Sequence, residues 1–349
     1  MMATCHRKYA RTLMSAVNVV GSLVVLLAII FTGGCVQQSE RDAVSAYRPD
    51  PGPYRIRVAE SVQLPFAELD KNLNLRITYP VADAGAPGFP VIIFSHGGRC
   101  SRDRYRYFAD HWASHGYIVI QPAHLDSSSL PPPEIRGMQM MIEAVRTRRL
   151  DMVHILDSFA QVADLVPDLE GRIDASKVVA AGHSLGGGTA MSVTGLVMVD
   201  PSNDTEFGFI DERFDALLLI TNPGNSPMMP DDPWRAVALP TFVSSGTNDF
   251  SGLVRFIKKS KSVFRFPDDM EFAATGNTYL FVDDMDHYLG GLICKQRDGY
   301  TPDTDAARII GGISVAFLAA YLHADDRART LLENPGSWQA ETRATLSIR

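Results

Sequence analysis

Cysteine is scarce in this 349-residue chain, with four in all, and positive charge is in short supply, with 33 Lys and Arg against 40 Asp and Glu. Cys5, Cys35, Cys100 and Cys294 are too far apart to resemble a metal-binding cluster. The net charge of −7 argues against a nucleic-acid partner, which needs a basic face. No internal repeat is visible, so repeat architectures are set aside. What remains, 46% hydrophobic and 21% charged residues, is ordinary globular composition with length for one large or two modest domains.

The first 35 residues stand apart. Arg7, Lys8 and Arg11 precede an uncharged stretch from Thr12 to Ser39, densest over Leu23 to Phe31. A basic start followed by an apolar run is the order of an export signal. It ends at Thr32-Gly33-Gly34-Cys35, which resembles a bacterial lipoprotein cleavage box with Cys35 as the lipidated residue, although Thr32 stands where such boxes usually carry leucine. Two alternatives stay open. Leu13 to Phe31 is 19 residues, close to the roughly 20 that span a bilayer, which allows an uncleaved anchor; simple cleavage is the other. Each exports the domain, and the first two hold it at a membrane facing the periplasm or the cell exterior. Residues 1–35 carry three basic and no acidic side chains, so their removal leaves a net charge of −10. Residues 36–53, polar and proline-bearing, read as a tether. Cys100 and Cys294 then remain in a compartment that permits a disulfide.

Residues 54–331 alternate apolar runs with helical patterns. Strands are expected at Arg55–Leu64, Leu73–Tyr79, Pro90–Ser95, Tyr117–Ile120, Lys177–Ala181, Ala216–Ile220, Thr241–Ser244 and Thr278–Val282. Helices are expected at Ser101–Ser114, about Glu134–Val162, and about Thr304–His323. Eight strands alternating with helices predict an α/β fold with a mainly parallel sheet covered on both faces, and residues 332–349 as a C-terminal tail.

Directly after the fifth run comes Gly182-His183-Ser184-Leu185-Gly186-Gly187. A G-x-S-x-G signature between a strand and a helix sets its serine on a sharp turn, with the hydroxyl clear of the sheet. The turn needs strained backbone and leaves no room for side chains two residues either side, so Ser184 reads as a nucleophile. A serine hydroxyl needs a base to accept its proton. In this arrangement the partners follow in the order Ser, Asp or Glu, His. Only His287 and His323 lie beyond Ser184; His323 sits on the polar end of the last helix, which leaves His287. Asp249, in the turn after the Thr241 strand, is the orienting carboxylate, ahead of Asp268, Asp283 and Asp286. The developing oxyanion needs backbone N–H donors: Leu185 for one and Gly98 in Ser95-His96-Gly97-Gly98 for the other, with Gly97 as the alternate. His96 is expected to support that loop.

Together these residues resemble the α/β-hydrolase superfamily over roughly Arg55 to Leu331. Val91–Gly98, Ala113–Val119 and Arg148–Val153 resemble the bacterial dienelactone-hydrolase-like and platelet-activating-factor acetylhydrolase group, and Gly186-Gly187-Gly188 is similar to cutinase-like polyester hydrolases. The resemblance implies cleavage of carboxylic esters without metal or organic cofactor. Leu185 departs from both groups, which often have phenylalanine or methionine there.

The expectation is an exported serine esterase acting through an acyl-enzyme on a small-molecule or lipid-like ester. Its rivals are a serine peptidase and a membrane-tethered binding module without activity. Cys100 follows the oxyanion loop and Cys294 the His287 loop, so a disulfide bracing the site is expected. His124 and Trp234 are expected either to line the cleft or simply to pack.

Overall fold

Val91–Phe94, Ile118–Ile120, Val178–Ala181 and Ala216–Ile220 are apolar at every position, so each must be covered on both faces, and all four are buried. The computed structural model describes residues 46–83, 85–200, 205–221, 229–230, 233–249, 274, 276–296, 298–336, 338 and 342–349. Within them these runs become β3 (Phe89–Ser95), β4 (Ile118–Pro122), β5 (Ile173–His183) and β8 (Ala216–Ile220). They are joined by β1 (Ile56–Phe66), β2 (Lys71–Pro80), β9 (Thr241–Asn248), β10 (Thr278–Asp286) and β11 (Ala344–Ile348) in one nine-stranded sheet, ordered β1-β2-β4-β3-β5-β8-β9-β10-β11. From β4 to β10 every neighbouring pair is parallel. The outer pairs β1–β2, β2–β4 and β10–β11 are antiparallel.

Alternation along the strands divides the core in two. Ile92, Phe94, Val119, Val179 and Ala181 point to a layer containing α1 (Arg106–Ser114), α5 (Thr304–Leu322) and α6 (Asp326–Glu333). Val91, Ile93, Ile118, Ile120, Val178 and Ala180 point to one containing α2 (Gly137–Asp157), α3 (Phe159–Leu165) and α4 (Leu185–Ser192). α5 is apolar and long enough to cross a bilayer, yet 83% of its most apolar window is buried inside the protein, as befits a core helix.

Three expectations change. The sheet has nine strands, because residues 344–348, expected in a tail, pair with β10; only Ala344 and Leu346 face inward, too brief an alternation to stand out in sequence. The single long helix from Glu134 is two, α2 and α3, broken at Ser158. The expected tether does not reach residue 53: Ala46 is buried, Tyr47 stacks on Trp338 at 5.3 Å, and Gly52 N–H donates to Ser114 Oγ at 2.8 Å. Apart from the main sheet, β6 (Met198–Asp200) and β7 (Thr205–Phe207) form a small antiparallel pair. Residues 1–35, with Cys35, lie outside the described residues, as does Asp268.

Candidate active site

Because β3, β5, β9 and β10 run parallel, their C-terminal ends share one edge of the sheet, and the loops that leave them are brought together there. Ser184 follows β5 at φ 54° and ψ −124°, a conformation costing roughly 1–3 kcal/mol for a residue with a side chain. Close packing enforces it. A Cβ at Gly182 would lie 2.2 Å from the Gly186 carbonyl oxygen, and one at Gly186 would lie 2.0 Å from that of Ser95. The turn therefore lies directly against the end of β3, and only glycine fits at either position.

His287 follows β10 and Asp249 follows β9. Nε2 of His287 is 2.8 Å from Ser184 Oγ, and its Nδ1 is 2.6 Å from Asp249 Oδ1. The other Asp249 oxygen accepts from Ser245 Oγ at 2.8 Å, which fixes the carboxylate. Both side chains are shut off from solvent, whereas Ser184 is partly open. Asp286, a weaker candidate by sequence, caps the next turn by accepting from Tyr288 N–H and Gly290 N–H. The arrangement can pass a proton from Ser184 to His287 while a carboxylate orients the ring.

Leu185 is the first residue of α4, and its N–H is among those at a helix start that no helical carbonyl can accept. Gly98 lies against it, with Leu185 Cδ2 3.3 Å from where a Gly98 Cβ would sit. Gly97 is set apart, since its N–H donates to Tyr105 Oη at 2.9 Å. Beneath the loop sits Arg148, whose side chain is wholly buried. It donates to the carbonyls of His96 (2.6 Å) and Gly97 (3.2 Å) and forms a two-pronged pair with Asp126. Asp126 also accepts from Arg99 N–H at 2.8 Å. Burial, the largest single influence, would raise the Asp126 carboxyl, but Arg148 together with smaller contributions that include the Arg99 N–H outweighs it and holds the group at about 2. Burial, then Arg148, depress His96 and His124, keeping both neutral. His96 thus supports the loop as expected: its carbonyl accepts from Arg148, its Nε2 accepts from His124 N–H, and its Nδ1–H donates to the Gly97 carbonyl at 2.8 Å.

His124 does not line the cleft. It bridges Ser95 Oγ (2.9 Å) and Asp151 (2.8 Å), a second Ser-His-Asp array. All three residues are buried, so triad spacing alone does not make a nucleophile. Trp234 packs in the core beside α4. Cys100 and Cys294 are joined in a disulfide with Cα atoms 4.9 Å apart, tying the loop after β3 to that after β10. A ring nitrogen of His183 comes within 4.8 Å of both sulfurs, but the disulfide withdraws them from thiolate ligation.

Sequence reasoning missed Tyr105, His183, Asp126 and the burial of Arg148. Arg148 and Asp151 lie in the quoted Arg148–Val153 run; three residues apart, both are wholly buried. Two charges of opposite sign on the buried face of a helix were the available signal. A depression of about 550 Å³ beside Glu60, Tyr79 and Leu165 includes none of the residues above.

Comparison with known proteins relates the chain to ester hydrolases. A protein-family model described as Chlorophyllase matches residues 52–209, which include Gly98 and Ser184 and stop short of Asp249 and His287. The chain is 26% identical over 267 residues to chlorophyllase type 0 of Chenopodium album, covering 68% of this chain and 69% of that one. It is 23% identical over 288 residues to chlorophyllase-2 of Arabidopsis thaliana, covering 73% and 79%. Against chloroplastic chlorophyllase-1 of Citrus sinensis the identity is 34% over 121 residues, but the match spans only 31% of that protein. With this sheet order, this elbow and these relatives, the chain belongs to the α/β-hydrolase superfamily and is a carboxylic ester hydrolase.

Proposed function

We propose that this protein is an exported serine esterase that works through an acyl-enzyme. The observation that carries the reading is the continuous array Ser184–His287–Asp249 on a strained elbow. Ser184 Oγ attacks the ester carbonyl carbon as its proton passes to His287 Nε2. Asp249 orients the imidazole and stabilises its charged form. The tetrahedral oxyanion is received by the N–H groups of Gly98 and Leu185, each contributing roughly 2.7–4 kcal/mol to the transition state. Collapse breaks the C–O bond, the alcohol leaves with the proton from His287, and water repeats the sequence on the acyl-enzyme. No step calls on a metal or organic cofactor.

The substrate class we assign is a carboxylic ester with a large lipophilic part, on the strength of relatives named as chlorophyllases and an acidic chain that disfavours anionic substrates. For export, the support is the basic-then-apolar order of residues 1–35 together with a disulfide, which an oxidising compartment sustains. Cys35 is the proposed lipid site, and labelling with palmitate that persists in Cys35→Ala would overturn it. The esterase reading is tested by a fluorophosphonate probe followed by a panel of p-nitrophenyl esters and chlorophyll. The expected result is one adduct, on Ser184, with turnover abolished in a folded Ser184→Ala protein. Folded protein that takes no adduct would support the inactive binding module instead.

A further inference from the structure

Three loops meet behind Ser184, and two buried side chains outside the proposed triad join them. We propose that Tyr105 and His183 are positioning residues that couple the oxyanion loop to the main chain of His287. The proposal rests on the esterase reading above, since it assigns these residues to the machinery of that reaction.

The hydrogen bonds can be ordered atom by atom. His183 Nε2 lies 2.9 Å from the carbonyl oxygen of His287, which only accepts, so Nε2 carries a proton. Burial, and then the neighbouring His287, push the His183 pKa well down, so its ring is neutral and Nδ1 is bare. Nδ1 then accepts from Tyr105 O–H at 2.8 Å. With its proton committed, the Tyr105 oxygen accepts Gly97 N–H at 2.9 Å. The sequence of donors is therefore single-valued: Gly97 to Tyr105, Tyr105 to His183, and His183 to the His287 carbonyl. Neither Tyr105 nor His183 is exposed, so water does not compete for any link.

Two consequences bear on catalysis. The N–H of Gly97 is consumed, which leaves Gly98 as the glycine of this loop that can face an oxyanion. The imidazole of His287 is also held at two points, its ring by Asp249 and its backbone by His183. Space is as restrictive as bonding, because a Cβ at Gly97 would lie 2.7 Å from His183 Nδ1 and 3.0 Å from Tyr105 Oη. Packing around Tyr105 does not need its hydroxyl, since the ring contacts Phe94 at a centroid distance of 5.0 Å.

Tyr105→Phe keeps that ring and deletes the hydroxyl. Misplacing a reacting group by fractions of an ångström to 1 Å costs up to about a hundredfold, so a ten- to hundredfold fall in kcat is expected, with KM within about twofold of wild type. The rate of fluorophosphonate labelling should fall by a similar factor. His183→Gln, which keeps one donor and one acceptor, should lose less than His183→Ala. Nitrogen-15 histidine spectra of the wild type should show His183 as a neutral Nε2–H tautomer at neutral pH and still so at pH 6.5, where an ordinary histidine is half protonated. Wild-type kcat in Tyr105→Phe would overturn the proposal. So would an effect confined to KM, and so would an Nδ1–H tautomer. Should the variants fail to fold, the wild-type spectrum still decides. If wild-type Ser184 takes no adduct, the esterase reading falls on that result, and the tautomer answers separately for the hydrogen-bond chain.

Discussion

Replacing Arg148 by Met keeps much of its volume and removes the only cation paired with Asp126 among the described residues. In the wild type that cation is the largest of the influences that together overcome burial and hold Asp126 at about 2 against an ordinary 3.8. At 1.36 kcal/mol per unit this corresponds to about 2 kcal/mol of stability. Because the folded value is depressed, the contribution is complete above pH 4 and disappears as pH falls toward 2. In Arg148→Met the desolvation, already the largest single influence on the carboxyl, loses its main opponent, and the carboxyl is expected to rise above its unfolded value. The sign then reverses: the variant's stability declines as pH climbs from 4 to 7. Breaking a buried pair by removing one partner costs roughly 3–5 kcal/mol, a large share of the 5–15 typical of a domain. Urea unfolding followed by circular dichroism should therefore show a deficit of about 3–5 kcal/mol at pH 7, smaller by about 1–2 kcal/mol at pH 4. A deficit under about 1 kcal/mol at pH 7, or one that is equal at the two pH values, would refute the argument that Arg148 acts by neutralising Asp126.

Asp249→Asn should lower kcat by roughly 10³–10⁴ with little change in KM, because an amide orients the wrong tautomer of His287; a loss under tenfold in steady-state kinetics counts against Asp249. At Gly186, alanine would meet a backbone carbonyl at 2.0 Å, so Gly186→Ala should destabilise by at least about 3 kcal/mol. Its control is Gly188→Ala, where nothing lies within 4 Å and a gain of about 0.4–1 kcal/mol is expected in the same melts. Cys294→Ser opens a loop spanning 194 residues and should cost up to roughly 5 kcal/mol, with ester turnover falling in parallel; a melting temperature unmoved by thiol reductant would contradict that.

Local chemistry made part of this protein legible in one dimension. An unbroken apolar run announces a strand buried on both faces, and glycines around Ser184 announce a turn that no other residue can make. Chain order then picked His287 and Asp249, since parallel strands deliver the residues that follow them to one edge. Hydrogen bonds to partners far along the chain left no such trace. Tyr105 and His183 are 78 residues apart and His183 and His287 are 104 apart, and neither pair follows a spacing that periodicity would reveal. The same holds for β11, whose short alternation acquires meaning only beside β10. Sequence alone determined the fold class and the serine, because both follow from local backbone geometry and burial patterning. Tertiary structure alone decided which glycine N–H of the loop is already taken, and that Ser95-His124-Asp151 is sealed in the core while the serine of the Ser184-His287-Asp249 array is partly open. The physical difference between those two arrays is access to solvent, a property of the packed molecule rather than of any segment.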